Sequence, residues 1–253
     1  MTSISAIIIT KNEAANIRAC LESIRWVDEI IVVDSGSSDE TVEICRTFTK
    51  HVYVHPWQGF GPQKNLALGY AGKDWILSID ADERVSERLR EEILAAVAGS
   101  ENDGFAIPRL SSYCGRFIHH SGWRPDYVLR LFRRAKGRFS DDIVHEQVLV
   151  DGTVGKLSAD LVHYSFRSVE QVLDIINRYS TLGAEQMYRQ GKRSGLGKAI
   201  SHGLAAFLTT YLLKAGFLDG REGLMLAVSN AEGTYYKYLK LMRLCADRRE
   251  QPR

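Results

Sequence analysis

Ser5-Ala6-Ile7-Ile8-Ile9-Thr10 and Trp75-Ile76-Leu77-Ser78-Ile79-Asp80 are the two runs on which the fold turns. Both are apolar at consecutive rather than alternate positions, the pattern of a strand buried on both faces of a parallel sheet. Between them lie Glu29-Ile30-Ile31-Val32-Val33-Asp34 and a shorter run, His51-Val52-Tyr53-Val54-His55. Helical spacing separates the four. Ile17, Leu21 and Ile24 share a face over residues 16–24, Val42 and Cys45 turn inward behind a cap at Ser38 or Asp39, and residues 61–70 read as a third helix. Strands joined by single helices predict an α/β fold with a mainly parallel, doubly wound sheet. Ligands of such sheets sit beyond the carboxyl ends of the strands. Three strands here end in polar groups: Thr10-Lys11-Asn12, Asp34-Ser35 and Asp80-Ala81-Asp82.

Further along, Ser86 caps a helix with Leu89, Ile93, Leu94 and Val97 on one face. Residues 104–165 break into short strands, among them 127–132 and 144–150, and Asp151-Gly152 between two apolar pieces is a hairpin signal. From Val169 the pattern is helical over residues 169–190, 196–217 and 221–245, so a C-terminal helical extension follows the sheet.

With 253 residues, 45% hydrophobic and 25% charged, the chain has the composition of an ordinary globular protein able to bury a real core. Net charge is only +2 but unevenly placed: residues 1–150 hold 18 Lys and Arg against 21 Asp and Glu, and residues 151–253 hold 15 against 10. A basic back half suits a polyanionic or membrane-surface partner, or a solvated helical surface. Cys20, Cys45, Cys114 and Cys245 lack metal-site or disulfide spacing, so reduced thiols are expected. The opening apolar run is too short for a signal peptide, which argues for a cytoplasmic protein.

Asp80 and Asp82 offer two carboxylates where a strand runs out. Such a pair binds Mg²⁺ or Mn²⁺ jointly with phosphate oxygens, and the ion neutralises charge on a departing diphosphate. The same tripeptide as a solvated acidic turn is common; its place at a strand end gives it weight. Asp34, followed by Ser35, Gly36, Ser37, Ser38 and Asp39, can accept hydrogen bonds from a base or ribose while small residues let backbone approach the ligand. Neither a GxGxxG nor a GxxxxGK[ST] spacing is present, so a dinucleotide oxidoreductase and a P-loop enzyme are disfavoured. Arg130 and Arg133 stand in a strand-like piece, and either can grip a phosphate bidentately.

Taken in order, Thr10-Lys11-Asn12-Glu13, Val33 to Asp39, Gln63-Lys64-Asn65 and Asp80-Ala81-Asp82 resemble the motifs of inverting glycosyltransferases of family 2, which have a GT-A fold. The resemblance spans roughly residues 3–165. It implies a catalytic domain over residues 1–165, with the nucleotide part at 1–100 and the acceptor and base part at 101–165, ahead of a helical region at 166–253. It implies a UDP-sugar donor bordered by Thr10, Asn12, Glu13, Asp34, Ser35, Asp39, Lys64 and Asn65. Asp80 and Ala81 would sit by the ribose and diphosphate, and Asp82 on the metal. A late histidine, His163, would complete the metal shell or else pack in the core. An inverting reaction also needs a base for the acceptor hydroxyl. Asp126, Asp141, Asp142 and Glu146 are the acids in the right segment. Glu146 is favoured by the likeness of Val144-His145-Glu146-Gln147 to the His-Glu pair of this branch, and Asp142 comes second. Trp123 can floor the acceptor sugar or serve packing.

Residues 203–213 hold no charge for 11 residues, short of the roughly 20 that a spanning helix needs. Arg189, Lys192, Arg193 and Lys198 precede them without an intervening acid. That fits docking on an anionic leaflet, or a core or dimer helix. Lys214 to Gly220, Gly223-Leu224 and Tyr236-Lys237-Tyr238 resemble the C-terminal region of lipopolysaccharide inner-core β-1,4-glucosyltransferases. That likeness implies glucose transfer to a lipid-linked core acceptor at the inner face of the cytoplasmic membrane, with no nucleic-acid partner. A polyprenyl-phosphate or other cell-envelope glycan acceptor is the nearest alternative, and a non-catalytic nucleotide-sugar-binding module the alternative of another class.

Overall fold

The computed structural model describes residues 2–99, 101–140 and 147–247. The chain divides into two units, Met1–Leu110 with Asp126–His163, and Ser111–Pro125 with Tyr164–Arg253.

The first unit is built on a sheet whose order begins β3-β2-β1-β4-β8-β6. Strand β1 (Ile4–Thr10) pairs in parallel with β2 (Glu29–Asp34) on one side and β4 (Trp75–Ser78) on the other, and β2 pairs in parallel with β3 (Val52–Val54). The order therefore reverses between β1 and β4, which opens a crevice at their carboxyl ends. Helices α1 (Ala14–Ser23), α2 (Thr41–Arg46) and α3 (Phe60–Tyr70) make the crossovers. After β4 come β5 (Glu83–Val85) and α4 (Glu87–Gly99). Ser86 caps α4 by accepting the Leu89 N–H at 3.2 Å.

Because strand side chains alternate, β1 feeds two cores. Ile4, Ala6 and Ile8 pack with Ile17, Cys20, Leu21, Leu89 and Ile93 on one face, while Ile7 packs with Ile31, Ile76, Ala67 and Phe132 on the other. Each such fully buried aliphatic side chain contributes roughly 1.5–3 kcal/mol. Leu94, expected on the inner face of α4, is instead 41% exposed, because Leu89, Ile93 and Val97 already fill the inward stripe.

The far side of the sheet is antiparallel. β6 (Gly104–Tyr113) pairs with β8 (Tyr127–Arg133), and β8 with β4. β7 (Arg116–Phe117) folds back on the end of β6. The expected hairpin about Asp151-Gly152 is not formed. β10 (Val148–Val150) pairs with β9 (Gly137–Phe139), whereas β11 (Val154–Lys156) crosses to lie parallel to β6. The crossing is fixed by Asp103, whose carboxylate accepts the Thr153 N–H and whose own N–H donates to the Thr153 carbonyl. Gly152 has φ +145°, and a Cβ there would strike that carboxylate, so glycine marks the crossing rather than a tight turn. β12 (Leu161–Phe166) begins beside β5 in antiparallel register, His163 opposite Glu83.

The second unit is mainly helical: α5 (Val169–Arg189), α6 (Leu196–Leu208) continued by a π turn over Thr209–Leu213, a 3₁₀ turn at Gly216–Asp219, and α7 (Gly220–Asp247). Its core gathers Tyr113, Ile118, Val172 and Leu226. Trp123 packs there on Tyr113 and Phe166. All four cysteines are free, and burial pushes the Cys45 thiol up to about 12. Among the described residues no helix is long and apolar enough to cross a membrane.

Candidate active site

At the carboxyl end of β2 the chain must turn sharply toward α2, and Asp34 organises that turn. Its carboxylate is fully buried and accepts the Thr10 hydroxyl at 2.9 Å, the Gly36 N–H at 2.9 Å, the Ser37 N–H at 2.7 Å and the Ser37 hydroxyl at 2.5 Å. Those four bonds fill the acceptor positions of a carboxylate. Gly36 has φ +82°, which its lack of a side chain allows. Asn12, at φ 56°, joins the same loop: its N–H donates to Ser37 Oγ and its amide oxygen accepts the Ser38 N–H. Asp39 accepts the Ala14 and Thr41 N–H groups, which serves the starts of α1 and α2. Ser35 accepts from Gln63 Nε2, and the Glu13 N–H donates to Thr41 Oγ1. Thr10, Asn12, Glu13, Asp34, Ser35 and Asp39 thus form one hydrogen-bonded rim.

The end of β4 is held differently. The Asp80 N–H donates to Glu83 Oε2 at 2.9 Å, which folds residues 80–83 into a turn. The Asp80 carboxylate lies 3.2 Å from Lys64 Nζ on α3 and pairs with Arg130 Nη2 from β8, and the same Nη2 donates to the buried Glu83 at 2.6 Å. Burial alone would raise the Asp80 pKa, but Arg130 and Lys64 outweigh it and hold the carboxyl well below the usual carboxylate range. Burial, with the Asp80 charge added, pushes Glu83 upward against the pull of Arg130. The Ala81 carbonyl accepts from Arg84, whose other nitrogen reaches the Asn16 carbonyl and ties the turn to α1.

Beside this turn, Asp82 Oδ2 lies 3.2 Å from His163 Nε2, brought there by the β5–β12 register. One carboxylate oxygen and one imidazole nitrogen are ligand types that Mn²⁺ and Mg²⁺ accept, and a two-ligand protein set leaves positions for phosphate oxygens. The donor set therefore fits a divalent cation shared with a diphosphate, not a closed structural site. Among the described residues no group of three or more His, Cys, Asp or Glu converges.

A cleft of about 450 Å³ opens over the cage, lined by Lys64, Asp80, Arg109, Tyr127, Arg130 and Gln147 among others, a volume in the range of small-molecule sites. Two residues read from sequence as ligand contacts are placed against other parts of the protein. Asn65 braces β9, its amide accepting the Phe139 N–H and donating to the Phe139 carbonyl, each at 2.9 Å. Arg133 lies over the Trp75 ring and 3.5 Å from Asp103, and it is absent from the cleft lining. Arg130, read as a phosphate grip, is spent on two carboxylates. Of the acids considered as base, Asp126 is held by Arg109 at 2.8 Å, while Asp141, Asp142 and Glu146 lie outside the described residues. Arg109, which also stands 3.8 Å from Glu83, was not singled out from sequence. Its one signal there is a charge within the otherwise apolar first seven residues of β6.

A model of the family described as glycosyl transferase family 2 matches residues 5–150. The chain belongs to that family. The glycosyltransferase is 33% identical over 252 residues to the lipopolysaccharide core biosynthesis glycosyltransferase LpsC of Rhizobium meliloti, covering 93% of each chain. It is 31% identical to an uncharacterized glycosyltransferase of Rickettsia typhi, over 96% of this chain and 88% of that one. Among solved structures, S. aureus TarS 1–349 in complex with UDP-GlcNAc superposes with a TM-score of 0.50 at 14% identity, covering all of this chain and 93% of the other. That likeness is one of fold, and it agrees with the GT-A arrangement expected from the motifs.

Proposed function

We propose that this glycosyltransferase moves glucose, with inversion, from UDP-glucose to a heptose of the lipopolysaccharide inner core at the cytosolic face of the membrane. The observation that carries this reading is the ionised Asp80 carboxylate, caged by Lys64 and Arg130 and followed two residues on by the Asp82–His163 pair, at the point where the strand order reverses. The LpsC relative, similar along nearly its whole length, supports the acceptor class.

In this reading the Thr10, Asn12, Glu13, Asp34, Ser35 and Asp39 rim borders the nucleotide, with Asp34 fixing its shape. Asp80, kept charged, accepts hydrogen bonds from the ribose hydroxyls, and Lys64 offers a cation toward the diphosphate. Asp82 and His163 would hold Mg²⁺ or Mn²⁺, which when bound neutralises charge developing on the leaving diphosphate. Glu146 takes the proton of the acceptor hydroxyl, with Asp142 the second choice.

A donor screen tests the reading. Each UDP- and GDP-sugar is offered with Mn²⁺ or Mg²⁺ and scored for transfer to heptose-terminated truncated lipopolysaccharide. UDP-glucose turnover is expected; transfer only from another donor, or only to a polyprenyl phosphate, overturns it. Glu146→Gln is expected to keep donor binding and lose transfer, and the same phenotype in Asp142→Asn alone moves the base to Asp142.

A further inference from the structure

Within the second unit, Leu196, Ile200, Leu204, Leu208, Leu212 and Leu213 are 41–81% exposed. The first five recur at every fourth position of α6 and its π turn, and Leu213 adjoins the last. The opposite face is spoken for: Ala199, Gly203 and Thr210 are buried, and a Cβ on Gly203 would come within 3.2 Å of Tyr235 on α7. In an α-helix each four-residue step drifts by about 40°, so such a ladder would wind off its face by residue 212. The π turn over Thr209–Leu213 closes i to i+5 and rotates less per residue, which offsets part of that drift at Leu212 and keeps it on the exposed side. Phe217 and Leu218, 50% and 55% exposed, follow at the end of the ladder.

The charges around this ladder have one sign. Arg189, Lys192, Arg193, Lys198 and Lys214 fall within it or at its ends, and there is no Asp or Glu between Glu185 and Asp219. An isologous contact through this face would bring two copies of a cluster of one sign together, an arrangement that repels. An anionic surface with an apolar layer beneath satisfies both features at once.

We propose that α6 and its π turn lie flat in the headgroup region of an anionic bilayer, with the leucine ladder sunk to the acyl boundary and the flanking cations on phosphate. The inference deepens the membrane-face part of the proposed function by naming the inserting face, and it rests on that part only for which leaflet is met.

Flotation of the full chain with phosphatidylcholine vesicles, with and without phosphatidylglycerol, provides the test. Binding is expected only with the anionic lipid. It should fall about tenfold in Leu204→Glu and roughly fivefold in Lys198→Gln, with far-ultraviolet circular dichroism and UDP-glucose hydrolysis unchanged. Should Leu204→Glu misfold, Leu213→Glu, at the most exposed position, replaces it. Binding that ignores anionic lipid, binding unaltered in these variants, or a dimer by light scattering that Leu204→Glu dissociates each overturns the proposal. Vesicle binding without heptose transfer would remove the acceptor assignment alone, and heptose transfer without vesicle binding would remove the insertion alone.

Discussion

Two acidic strand ends face the same crevice and are built on opposite principles. Asp34 is saturated by its own neighbourhood: hydroxyls and N–H groups of Thr10, Gly36 and Ser37 fill its oxygens. Asp80 receives almost nothing local on its carboxylate and is balanced by cations from distant elements, Lys64 on α3 and Arg130 on β8. A carboxylate bonded to its loop shapes that loop. One balanced by cations from other elements keeps its charge and part of its surface, its side chain being 33% exposed, and so offers that surface to a ligand. Under the proposed function, the contrast would make Asp34 a shaper of its loop and Asp80 a group open to the ligand.

The most damaging way to break the contrast is Arg130→Ala. It strips the nearest cation from Glu83, which is fully buried, and one of two cations from Asp80. Removing one side of a buried ion pair costs about 3–5 kcal/mol, so a large drop in the urea midpoint is expected, with transfer lost.

Acid probes the same cage without mutation. The Asp80 carboxyl is depressed in the folded state, so its stabilising contribution is complete above the unfolded value of about 3.9 and drains away as pH falls below it. Glu83 runs the other way: its folded value is raised, so its contribution is present below about 4.3 and lost as pH rises through the folded value. Denaturation midpoints between pH 6 and pH 2 are expected to fall, and Glu83→Gln to make the fall steeper.

Asp34→Asn sharpens the other half. The amide cannot accept all four bonds, and a buried donor left without its acceptor costs about 1–3 kcal/mol. A rise in KM for the donor larger than the fall in kcat is the expected signature, since the loop that borders the nucleotide loses its shape.

The smallest effect belongs to Arg133→Ala. Its contact with the Trp75 ring and its long pairing with Asp103 are partly exposed and worth about 0.5–1 kcal/mol. Transfer kinetics are expected to stay within twofold of the parent's, judged against the roughly 0.5 kcal/mol that surface changes usually amount to; a larger loss would return Arg133 to the site.

The strands β1, β2 and β4 were legible because short runs of consecutive apolar residues, β-branched in β1 and β2, have few other homes, and the strand-end rule then located the crevice. Legibility failed where long-range partners decide. Asp151-Gly152 carries a hairpin signal, yet Asp103, some fifty residues earlier in the chain, captures Thr153 and diverts β11 to β6. Arg130 and Lys64 were recognised as cations of the site, but no local pattern says that Arg130 is consumed by carboxylates. A hint was present: Asp80, Asp82 and Glu83 crowd one turn, and a buried Glu83 requires a counter-charge from elsewhere. Leu94 shows the limit of helical spacing, which leaves both edges of an apolar stripe open until the neighbouring core is known.

The claim that the Asp80–Asp82 turn binds a metal-bridged diphosphate is tested most directly by calorimetric titration of UDP, with and without Mn²⁺, into the parent and Asp82→Ala. The account predicts that Mn²⁺ tightens UDP binding at least about tenfold in the parent, equivalent to 1.4 kcal/mol, and leaves Asp82→Ala unchanged while that variant stays folded. Equal tightening by Mn²⁺ in both proteins would contradict it.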